Sequence, residues 1–168
     1  MRYRPYSAVA LGAACLLASA LCVAQVQDVA LKAAFIYNFA LFTTWPQEAS
    51  EPDRFKVCAP RSSPMWDSLL KLNGKLVEGK AWTLTDVVEE GPGQCRIIVL
   101  SGPPLPFDTD TASGALIVDD GTAEAPSSAV ITLVKEATLI RFDVDTGKAA
   151  RRGLTFSSKL LRLARSVS

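Results

Sequence analysis

The chain of 168 residues contains no histidine, so it lacks the side chain most often used as general base, proton shuttle or metal ligand near neutral pH. It has four cysteines and no C-x-x-C pair, which removes the usual spacing for zinc binding and for dithiol redox chemistry. An excess of one charge is missing too. Eighteen Lys and Arg face 17 Asp and Glu, a net charge of +1, and nothing in that balance calls for nucleic acid or an overall attraction to membranes. No Ser or Thr stands in a nucleophile–base pattern, so hydrolase and metalloenzyme chemistry have no visible machinery and the expectation is no catalytic residue, no metal and no cofactor. Gly91-Pro92-Gly93 precedes a strand instead of following one, which rejects a phosphate loop in favour of a turn. Asp108 and Asp110 lack the glycine and downstream glutamate of a calcium loop. Asp119-Asp120 and Glu89-Glu90 fall in turns, where adjacent side chains diverge. A carboxylate enzyme would instead need a deep cleft gathering Asp or Glu beside the 101–114 loop.

What is present begins with a leader. Arg2 and Arg4 precede an uncharged apolar run from about Ala8 to Ala24, the layout of a secretory signal peptide. Cleavage after Ala24 places Cys22 at −3 and opens the mature chain at Gln25; an uncleaved anchor and a lipoprotein site at Cys22 are the alternatives. The domain plan is therefore 1–24 leader and 25–168 one compact domain. Without Arg2 and Arg4, 16 basic residues face 17 acidic ones. Cys15 and Cys22 leave with the leader, and the remaining pair in an exported chain, Cys58 and Cys95, is expected to form one disulfide. With no histidine to activate a thiolate, a redox role is the weaker alternative.

The mature chain opens on LKAAFIYNFALFTTWP, Leu31 to Pro46. At 3.6 residues per turn Val29, Ala33, Ile36 and Ala40 share a stripe, and Phe35, Phe39, Leu41 and Phe42 widen it until little polar face remains. Pro46 should end this helix near Thr44 and set Trp45 in an extended conformation. Two readings stay open: the aromatic surface is all core, or part of it serves a partner, with Tyr37 and Trp45 the candidate contacts.

Farther along, Arg54–Ala59 alternates as a strand, and 64–74 reads as a short helix with Pro64 in its first turn and Gly74 past its end. Lys75–Thr85 reads as one extended strand interrupted at Gly79, followed by an acidic turn at Glu89 and Glu90. CRIIVL, 95–100, is the candidate for a central strand buried on both faces. The proline-rich 101–114 stretch sits where ligands often bind in α/β sheets, although a plain connection explains it as well. Ala115–Val118 is a further strand, and 130–144 a hairpin turning at Lys135-Glu136. Asp145 should cap a short helix ending before Gly153, and Ser157 or Ser158 a terminal helix with Leu160, Leu161 and Ala164 inward and Lys159, Arg162 and Arg165 outward. From Arg141 onward there are 7 basic and 2 acidic residues. That makes Arg151, Arg152 and Arg162 candidates for an acidic partner surface, against the default of a solvated face. The class is α/β: a single compact domain with a mixed β-sheet flanked by helices.

Taken together, LKAAFIYNFALFTTWP, FKVCAP, CRIIVLSG, the hairpin and GLTFSSKLLRLA resemble, in order and spacing, the YfiR-like family of exported bacterial proteins. The resemblance implies a compact periplasmic α/β domain without enzymatic activity. It also implies that such a protein represses an inner-membrane diguanylate cyclase by binding its periplasmic region, and so acts on cyclic di-GMP and biofilm formation. An outer-membrane lipoprotein is the implied second partner; apart from the resemblance, a homodimer stays open. By the same resemblance Cys58 and Cys95 match a cysteine pair linking neighbouring strands. The family's founding member has a second disulfide in its later half, and no cysteine follows Cys95 here. The runner-up function is a periplasmic small-molecule-binding accessory of a transporter or sensor kinase.

Overall fold

In a computed structural model the described residues are 27–46, 53–124 and 128–168; the leader at 1–24 and residues 47–52 of the polar connection after Pro46 lie outside them. Helix α1, over 27–42, leads into the short β1 (Thr43–Thr44). It stops two residues earlier than its periodicity suggests, because the chain is already extended at Thr43 and the Thr43 hydroxyl donates to the Phe39 carbonyl. Then follow β2 (Arg54–Ala59), α2 (Trp66–Leu70), β3 (Leu76–Val77), β4 (Lys80–Asp86), α3 (Val87–Glu90), β5 (Ile97–Leu100), β6 (Leu116–Asp119), β7 (Ile131–Glu136) and β8 (Leu139–Val144). The chain closes with α4 (Thr146–Arg151), β9 (Thr155–Phe156), α5 (Ser158–Leu163) and β10 (Ser166–Val167).

The main sheet has eight strands in the order β10-β8-β7-β6-β5-β2-β4-β3, and β1 pairs with β9 in a separate ribbon. From β4 to β7 every neighbour is parallel, whereas β8 and β3 are added antiparallel at the two sides. Taken in chain order, the five parallel strands are arranged second-first-third-fourth-fifth, the doubly wound order that puts a topological switch point at the carboxyl ends of β2 and β5. All four residues of β5 and all four of β6 are buried, as expected for parallel strands covered on both faces.

Helix α1 lies across this sheet. Ala33, Ile36, Phe39 and Ala40 are buried along it, and the rings of Phe35 and Phe39 meet Phe142 of β8 at 5.8 and 4.9 Å. Its far end reaches β2 and β4, where Trp45 meets Phe55 and Tyr37 meets Trp82. Burial of this apolar seam, at about 25 cal/mol per Å², holds the helix down.

Local geometry revises several expectations. Lys75–Thr85 is not one strand but a hairpin, since Glu78 and Gly79 both have positive φ and form a two-residue turn of the kind that matches strand twist. The acidic turn is a helical one, α3, because the Asp86 carboxylate caps it by accepting from the Val88 amide. In the second hairpin the turn is Ala137-Thr138, two residues beyond Lys135-Glu136, with Ala137 at φ 53° and Glu136 paired with Leu139. Asp145 and Ser157 cap α4 and α5 as expected. However, α5 ends at Leu163, and Ser166-Val167 adds an unforeseen strand parallel to β8.

Cys58 of β2 and Cys95, two residues before β5, are joined, with Cα atoms 5.8 Å apart across 37 positions of sequence. That lies inside the roughly 4.4–6.8 Å a disulfide spans.

Candidate functional site

Three parts of the surface use side chains that the core does not require. The first is the outer side of α1. Polar contacts pin the helix at three points: Lys135 pairs with Asp28, the Lys32 ammonium donates to the Asp120 carbonyl at 2.6 Å, and the Tyr37 hydroxyl donates to the Leu76 carbonyl at 3.0 Å. So fixed, α1 turns Leu31, Ala34, Asn38 and Leu41 to solvent, with Leu31 46% and Leu41 45% exposed. Tyr37 is half-buried, edge-on to Trp82 with the Lys75 ammonium over its ring. It neighbours Leu41 one turn away on the helix and, through its hydroxyl, Leu76 on the edge strand β3, which is 60% exposed. Tyr37, Leu41 and Leu76 thus form a small apolar patch with a polar rim.

Trp45 is not part of that patch. It is 8% exposed, its ring stands edge-on to Phe55 at 5.1 Å, and its Nε1 donates to the Ala40 carbonyl. The extended conformation before Pro46 folds the indole inward onto the start of β2 instead of presenting it outward.

The second part is a groove beside α4. Arg151 and Arg152 line it together with Lys148, Ser128 and Asp110, around a cavity of about 420 Å³. Arg162 lies elsewhere, exposed on α5, so the three arginines singled out by local charge do not converge. Arg152 is the best anchored of them. Its guanidinium donates to the Ala112 carbonyl at 2.8 Å, more weakly to the Thr109 carbonyl, and to the Asp110 carboxylate at 2.8 Å. Lys148 donates to the Ala129 carbonyl and lies 3.6 Å from Asp145. The Lys148 amide, and then the Lys148 and Arg151 charges, hold the Asp145 carboxyl below the usual carboxylate range. The sequence places Lys148 with Arg151 and Arg152 near the negative end of the helix capped by Asp145, whereas Ser128 carries no sequence signal. The spacing of Lys148 with Arg151 and Arg152 places them on adjoining turns of one short helix.

The third part lies at the carboxyl ends of the parallel strands. The Ser63 hydroxyl donates to Ser101, which donates to the Asp120 carboxylate at 2.7 Å; Asp120 also accepts from the Thr122 amide and hydroxyl. Asp119 accepts from the Gly121 and Ala123 amides. Burial pushes the Asp119 carboxyl up, against those two amides, with the Asp120 charge adding to the rise. These carboxylates are buried and spent on holding the 121–123 turn, not diverging into solvent as adjacency suggested. The neighbouring cavity, about 50 Å³ between Ser101, Pro103, Pro104 and Ser128, has no carboxylate in its lining among the described residues. Nor do the described residues contain a cluster of three or more metal-ligating side chains. At the switch point, where such folds usually bind ligands, the Ser63, Ser101 and Thr122 hydroxyls bond to one another and to Asp120.

A search of curated proteins finds no match to the chain. A family model described as YfiR/HmsC-like matches residues 29–165, which runs from the first turns of α1 to the residue before β10. That family comprises periplasmic proteins associated with the regulation of membrane diguanylate cyclases and not with catalysis. With most of its length matched, and with the fold and disulfide in agreement, the chain belongs to the YfiR/HmsC-like family.

Proposed function

We propose that this protein is exported through a leader cleaved after Ala24 and represses an inner-membrane diguanylate cyclase by binding the cyclase's periplasmic domain. The observation that carries the reading is the apolar patch of Tyr37, Leu41 and Leu76. An otherwise amphipathic helix leaves large side chains in water there, next to an aromatic ring with a polar rim, the composition expected of a contact surface. Trp45 supports this surface from beneath by fixing the end of α1. Arg151 and Arg162 are exposed cations on α4 and α5, outside that patch.

The test is direct binding between the mature protein, residues 25–168, and the purified periplasmic domain of a cyclase from the same cell. A saturable complex weakened by Leu41→Glu but not by Arg162→Gln supports the reading. Binding that survives Leu41→Glu moves the interface away from α1, and no binding to any such domain defeats the reading. Terminal sequencing of the exported protein should begin at Gln25.

A further inference from the structure

We propose that the groove beside α4 is a binding site for a small oxyanion, a carboxylate or phosphate group on a low-molecular-weight ligand, with Arg151 as the cation that meets it. The cavity of about 420 Å³ falls within the roughly 300–1,000 Å³ usual for small-ligand sites, and all five described residues that line it are polar or charged, so the ligand it suits carries charge. Three of its five described lining residues are cations.

The state of each cation decides the chemistry. Arg152 is a fixed wall: its side chain is 9% exposed, yet its one carboxylate partner, Asp110, is 70% exposed. The Asp110 carboxylate, 2.8 Å away and itself in the groove lining, offsets part of the guanidinium charge, but solvent around so exposed a group weakens the pairing. Lys148 is similarly tied to a carbonyl and, at a longer distance, to Asp145. Arg151 is the cation left over. It is exposed, it lines the groove, and it makes no hydrogen bond or ion pair with the described residues. A planar fork of donors facing a site with two fixed positive walls is suited to bidentate capture of a carboxylate or phosphate. Ser128 adds a hydroxyl to the lining, although it also shares a hydrogen bond with Thr109. The site does not depend on the cyclase-binding reading, and it lies on elements other than the α1 patch.

The experiment uses the mature chain and three probes at matched ionic strength: inorganic phosphate, succinate and chloride. Thermal melts and calorimetric titration should show saturable stabilisation by phosphate or succinate beyond that of chloride, and the better of the two identifies the ligand's head group. Arg151→Gln, an exposed change that leaves the Arg152 anchor intact, should weaken that binding about tenfold, the loss expected for one charge-assisted hydrogen bond. Arg162→Gln should leave it unchanged. Equal responses to all three salts, or a response that Arg151→Gln leaves intact, overturns the proposal. A loss of phosphate binding in Arg151→Gln with unchanged cyclase binding separates this site from the α1 surface.

Discussion

Truncating Trp45 would empty a buried site bounded by Phe55 and the end of α1 and would remove the donor to the Ala40 carbonyl. Trp45→Ala is therefore expected to cost about 3–5 kcal/mol of stability in denaturant melts. Any loss of repression in that variant would follow from the fold, whereas Tyr37→Phe removes only the hydrogen bond to Leu76, worth about 0.5–1.5 kcal/mol. The same distinction holds in α5. Leu160 is buried while Leu161 is only half-buried, so Leu160→Ala should cost about 2–5 kcal/mol and Leu161→Ala clearly less. The reverse order would show that the helix is rotated. Arg165 bridges Asp143 and Glu136 at the surface, and Arg165→Ala should leave the denaturant midpoint nearly unchanged, since exposed ion pairs contribute little. Periodicity marks Leu160 and Leu161 as one inward face, since it gives direction around a helix and not depth beneath its neighbours. The burial of Trp45 was illegible for a related reason: it depends on where β2 runs, which no local pattern encodes.

Among the elements, the turn after β6 is the most constrained. Gly121 has φ +84°, and a Cβ there would stand 2.4 Å from the Leu133 carbonyl oxygen of β7. A backbone carbonyl inside a sheet cannot swing away, so Gly121→Ala carries the left-handed conformational penalty of about 1–2 kcal/mol and a steric one besides. A drop in melting temperature of several degrees or more is expected, and an unchanged melt would show that the turn can relax. The same turn holds Asp119 and Asp120. Because burial raises the Asp119 carboxyl, the folded state takes up that proton more readily than the unfolded chain, so Asp119 lowers stability as pH rises from about 4 through its raised folded value. Asp119→Asn should flatten that part of the pH–stability curve. The strands and caps were legible from alternation and from Asp145 and Ser157. The hairpin turns were not, because Glu78 and Ala137 adopt positive φ without being glycine, and β10 is too short to carry a pattern.

For the whole molecule, the sheet order, the disulfide and the exposed face of α1 act together. The Cys58–Cys95 bond closes a separation of 37 residues, for which the chain-entropy model gives about 3–4 kcal/mol. Mass spectrometry of unreduced protein should find the two residues linked, and Cys58→Ala with Cys95→Ala should lower stability by that order while leaving the α1 patch in place. The patch is what regulation should feel. In cells expressing the partner cyclase, deleting the gene should raise cyclic di-GMP, and a well-folded Leu41→Glu variant should fail to restore repression, because a carboxylate in a desolvated apolar contact is penalised heavily. The double cysteine variant, if it still reaches the periplasm, should repress nearly normally, since neither sulfur lies at that surface. Normal repression by Leu41→Glu and by Tyr37→Ala together would leave α1 as a structural helix and shift attention to the α4 groove. Unchanged cyclic di-GMP on deletion of the gene, with the cyclase present, would remove the repressor role altogether and leave ligand binding by that groove as the function to pursue, in keeping with an accessory of a transporter or sensor kinase.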